Sequence, residues 1–67
     1  MSAISVKRLR AGDRVRMADG GVAEILASRP ATWIRVANGK AVDVQYRIIG
    51  GGTGWVIADS EDEVNLA

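Results

Sequence analysis

The chain has no cysteine and no histidine. Disulfide staples and thiolate metal sites are therefore excluded, and the commonest nucleophile–base pairs of enzymes cannot form. The serines are Ser2, Ser5, Ser28 and Ser60, and none sits in the strand–turn–helix context of an activated hydroxyl. Proline occurs once, at Pro30, and the aromatics are only Trp33, Tyr46 and Trp55. No apolar run approaches the ~20 residues that a membrane helix needs. The segment Met1–Arg8 lacks the basic-then-apolar order of a signal peptide, so a cytoplasmic protein is expected.

What is present fits one small domain over residues 1–67. A chain this short buries only about 60% of its unfolded surface, so its core must be thin. The net charge is +1, but it is unevenly spread. Lys7, Arg8, Arg10, Arg14 and Arg16 crowd the start, whereas Asp59, Glu61, Asp62 and Glu63 cluster near the end. The simplest reading places the two ends side by side, where they neutralise each other. The carboxylates lack the alternating ligand spacing of a calcium loop and read as a solvated turn.

The hydrophobic period is that of strands. Val15 and Met17 alternate with Arg14 and Arg16 over Asp13–Met17. Asp19-Gly20-Gly21 then signals a hairpin into a second strand, Val22–Ser28, which Arg29-Pro30 is expected to end. Thr32–Val36 and Ala41–Ile48 flank Asn38-Gly39, the strongest turn signal in the chain. Gly50–Gly54 reads as a hairpin connection before a strand at Trp55–Ala58. It lacks the Gly-Lys-Ser/Thr ending and the following helix of a phosphate loop. A last strand is expected over Glu63–Leu66.

Burial decides the expected register at Asn38-Gly39. A three-residue loop, Ala37-Asn38-Gly39, puts Ile34 opposite Val42 and Val36 opposite Lys40. Ile34, Val36, Val42, Val44 and Tyr46 then share an apolar face, and Trp33, Arg35, Asp43 and Gln45 share the other. A two-residue turn would bury an arginine and expose several valines, which outweighs its turn preference. The expected core is Val15, Ile34, Val36, Val42, Val44 and Val56, with Trp55 as a core or loop anchor.

The pattern implies an all-β protein, a small SH3-like barrel or rolled antiparallel sheet of five to six short strands. Leu9-Arg10-Ala11-Gly12-Asp13-Arg14-Val15, followed by Gly20-Gly21-Val22, resembles the opening of small SH3-like barrels. Asp62-Glu63-Val64-Asn65-Leu66 resembles their last strand, which pairs with the first. Short SH3-like orphan proteins of actinobacteria and their bacteriophages share this layout. Within the motif, Gly12-Asp13 is explained by a tight turn whose Asp caps backbone N–H groups.

Such barrels serve many functions, so the site must decide. With little chemistry to offer and near-neutral charge, the chain reads as a non-catalytic interaction module. The resemblance implies a bacteriophage or mobile-element accessory protein that binds a host protein or itself. Trp33 and Arg35 are the candidate partner-binding residues, since both residue types dominate binding hot spots. The alternative is a small nucleic-acid-binding barrel using Lys7, Arg8, Arg10, Arg14 and Arg16, with Arg35. Neither reading calls for a cofactor or a metal.

Overall fold

A computed structural model describes residues 3–31 and 40–67. Six antiparallel strands, β1 (Ala3–Ser5), β2 (Arg14–Arg16), β3 (Val22–Pro30), β4 (Ala41–Ile48), β5 (Thr53–Asp59) and β6 (Glu63–Leu66), form one sheet. Their order across it is β1-β6-β2-β3-β4-β5. The all-β expectation holds, in its rolled-sheet form: among the described residues β1 and β5 are the two edges, and the sheet does not close into a barrel. Just past β1, the chain bonds to the turn between β5 and β6. There the N–H groups of Val6 and Lys7 donate to the carbonyls of Asp62 and Ser60, at 2.8 and 3.2 Å.

The turns follow from side-chain chemistry. Asp13 accepts the N–H of Arg10 on its carboxylate at 3.0 Å, as the Gly12-Asp13 pair implied, and Gly12 adopts φ 96°, which glycine tolerates. Asp19 likewise accepts the N–H of Gly21 at 2.9 Å and shapes the β2–β3 turn. Between β1 and β2, Val6–Arg8 form a single 3-10 turn. Residues three apart eclipse in that geometry, so Val6 and Leu9 both point inward and are buried. With Val15, Ala23, Ile25, Val42 and Val44 they make the core.

Strand β6 pairs with β2, Val15 opposite Leu66, as the resemblance to barrel openings implied, and also with β1. The short β1 carries too few residues to show a period, and only its pairing of Ala3, Ile4 and Ser5 with Asn65, Val64 and Glu63 makes it a strand. Strand β3 does not end at Arg29 but runs through Pro30. Ala31 N–H donates to Ala41, and in an antiparallel ladder such bonds fall on alternate residues. Pro30 opposite Val42 therefore lies at a position where no N–H is asked of it.

Four further expectations are corrected. Val42 faces Pro30 on one side and Ala58 on the other, so its expected pairing with Ile34 is replaced. Asp43 is buried rather than displayed on a polar face. Val56 and Trp55 are exposed instead of core, because β5 is an edge with no strand beyond it among the described residues. Strand β5 begins at Thr53, two residues before the expected start, and so absorbs Gly54 of the glycine run. Thr32–Val36, with Ile34 and Val36, and the Asn38-Gly39 loop lie outside the described residues.

Candidate interaction surface

The expected site residues separate in space. Trp33 and Arg35 lie outside the described residues. Lys7 forms an ion pair with Glu61 at 3.0 Å, so the basic start and acidic end do meet, with this as their one ion pair among the described residues beside the backbone bonds of Val6 and Lys7. Arg8, Arg10, Arg14 and Arg16 are exposed and have no carboxylate partner there. Lys7, Arg8 and Arg10 border one shallow groove beside Leu26. Arg14 borders another with Arg47 and the glycine turn, and Arg16 sits at the rim of the apolar trough described below. Arg14 and Arg16, two apart on β2, share the side of that strand opposite buried Val15.

The acidic cluster shapes the β5–β6 turn. Asp59 accepts the N–H of Glu61 at 2.8 Å, and Asp62 accepts the N–H of Asp59 at 3.4 Å. No helix among the described residues is long and apolar enough to cross a membrane.

What sequence reasoning missed is that β5 is an edge strand among the described residues, and the surfaces on either side of it. Ser60 N–H donates to Lys40, and Ile48 N–H donates to Gly52. These bonds frame the β4–β5 ladder, in which Val42 faces Ala58, Val44 faces Val56 and Tyr46 faces Gly54. Alternation then points the N–H and C=O groups of Gly54, Val56 and Ala58 toward β4. Those of Thr53, Trp55 and Ile57 point away from it, along the open edge.

On the inner face, Val56 borders an apolar trough of about 350 Å³. Val15, Met17, Ile25, Tyr46 and Val64 also line it. On the outer face, Trp55 is 66% exposed and lies beside Leu26 and Gln45. Leu26 is exposed because a β-bulge between Ile25 and Ala27 lifts it out of the alternation with β4. A signal for the edge was present in the sequence: Thr53–Ala58 carries no charge and no proline, the usual guards of an edge strand. Comparison with protein-family models, curated proteins and solved structures returns no match.

Proposed function

We propose that this chain is a non-catalytic interaction module that binds a protein partner by adding a strand to β5, in the accessory role that the small-barrel resemblance implies. The observation that carries the reading is the unguarded edge. A row of outward N–H and C=O groups over Thr53–Ile57 supplies backbone affinity for an extended segment. Exposed Trp55 and Val56, on opposite faces, supply side-chain contact on both sides of that segment. Trp33 and Arg35 stay in this reading as partner contacts on sequence grounds.

The test is affinity capture from host lysate with nuclease present. Trp55→Lys should abolish recovery of the partner while the far-ultraviolet dichroism stays that of the parent. Trp33→Ala, compared in parallel, reports whether the second tryptophan contributes. Full recovery with Trp55→Lys would overturn the role of the β5 edge.

A second reading, nucleic-acid binding, draws on exposed Arg8, Arg10, Arg14 and Arg16, which have no carboxylate partner among the described residues. Loss of capture upon nuclease treatment, with affinity falling steeply with salt, would favour it.

A further inference from the structure

We infer that the partner segment at β5 is β5 of a second copy of this chain, paired antiparallel about a two-fold axis that passes through Trp55. The inference rests on the interaction reading above and names its occupant.

Register carries the argument. Each copy offers outward N–H and C=O groups at Thr53, Trp55 and Ile57. The next outward position on one side, Asp59, is committed: its C=O accepts from Asp62 N–H at 3.0 Å and its N–H donates to the Asp62 carboxylate. On the other side, Gly51 N–H is committed to Ile48. In a two-fold antiparallel pair the bonded positions must be outward residues on both strands.

Centring the axis on Trp55 sets Trp55 against its own copy and Thr53 against Ile57, twice. Every free group on both edges is then bonded. Centring on Val56 instead leaves Thr53 facing the committed Asp59. Centring on Ile57 leaves Trp55 facing Asp59, and centring on Gly54 leaves Ile57 facing Gly51. One register satisfies the whole edge.

Side chains agree with that register. The two exposed Trp55 rings meet on the outer face as an aromatic cross-strand pair. On the inner face, each Val56 lies opposite the other copy's Gly54. A Cβ built at Gly54 would come within 2.8 Å of the Tyr46 hydroxyl, so the Tyr46 ring covers that glycine. Val56 of one copy thereby meets Tyr46 of the other, and the two apolar troughs become continuous. No like charges face each other, because Thr53–Ala58 is uncharged and Asp59 falls opposite Gly51. A short strand pair is a small interface, so a weak, concentration-dependent dimer is expected.

The test is sedimentation of the full chain from ~1 µM to ~1 mM, the span of weak complexes. The parent should pass from monomer to dimer. Trp55→Lys, which places two ammonium groups on the axis, should weaken association ~100-fold, as loss of a central hot spot does, with unchanged dichroism. Cysteine substitution reads the register, since the chain has no thiol of its own. Thr53→Cys mixed with Ile57→Cys should be joined by a short thiol cross-linker. Neither alone should be, because the like residues lie ~13 Å apart along the strands.

A parent that stays monomeric at ~1 mM, or a dimer indifferent to Trp55→Lys, overturns the inference. So does cross-linking of either cysteine variant alone, or none in the mixture. If the parent is monomeric yet Trp55→Lys still loses a captured partner, self-pairing fails and the interaction reading stands. If both measurements are indifferent to Trp55→Lys, both fail.

Discussion

Val44 and Val56 stand directly opposite each other on one face of the sheet, yet Val44 is 4% exposed and Val56 47%. The same residue type on the same face differs because Val44 has strands on both sides, whereas Val56 lies on the edge strand. Val44→Ala should therefore destabilise the protein by about 1–3 kcal/mol, from lost transfer energy and the cavity left behind. Val56→Ala should cost less than about 0.5 kcal/mol. Denaturant midpoints measured on monomer at low concentration check both, and equal losses would contradict the edge position of β5.

Gly54 lies beneath the Tyr46 ring, which is packed against the core. Gly54→Ala places a methyl group where the ring stands. Because the ring is held by its neighbours, the substitution should cost about 1–3 kcal/mol, the usual range for overpacking. Tyr46→Ala in the same background should relieve the added clash, so the double variant should be more stable than the sum of the two losses. Strict additivity would show that the ring does not cover the glycine.

Proline scanning along β5 reads the direction of its backbone groups. Trp55 N–H points to the open edge and Val56 N–H points to β4. Trp55→Pro should leave the monomer folded, since edge strands accept proline on the solvent side. Val56→Pro should destabilise it by about 1–3 kcal/mol, through a buried carbonyl of Val44 left without its donor. Thermal melts that rank the two variants the other way would reverse the assigned ladder.

Asp43 is buried with Oδ1 unpartnered, and Oδ2 lies 3.5 Å from Nε of Arg29, whose side chain is largely exposed. Arg29→Met should cost about 1–3 kcal/mol by leaving a buried carboxylate uncompensated. The value should fall toward the lower end because Arg29 reaches solvent. Adding Asp43→Asn should recover most of that loss. A neutral Arg29→Met would show that the arginine does not compensate the carboxylate.

Nucleic-acid affinity should be weak. Lys7 is held by Glu61, and the arginines are spread over the 3-10 turn, the loop that follows it and β2. Kd for DNA or RNA at physiological salt is expected to be no tighter than the ~10⁻⁴–10⁻⁶ M of non-specific contacts. Fluorescence titration giving submicromolar, salt-steep binding that survives Trp55→Lys would promote the basic residues to the functional site.

Much of this molecule was decided by its sequence alone. The alternation Arg14-Val15-Arg16, the Asp-capped turns at Asp13 and Asp19, and the valines of Ala41–Val44 specify strands, turns and a buried face through local sterics and solvation. Only the tertiary structure decided which strands became neighbours. That choice buried Asp43, placed Pro30 where it is asked for no hydrogen, made a strand of Ala3–Ser5 and left β5 at an edge with Trp55 in solvent. Pairing between distant segments depends on how a whole sheet rolls to cover one apolar face. No window of a few residues contains that information, so local pattern reveals that a strand exists but not what lies beside it.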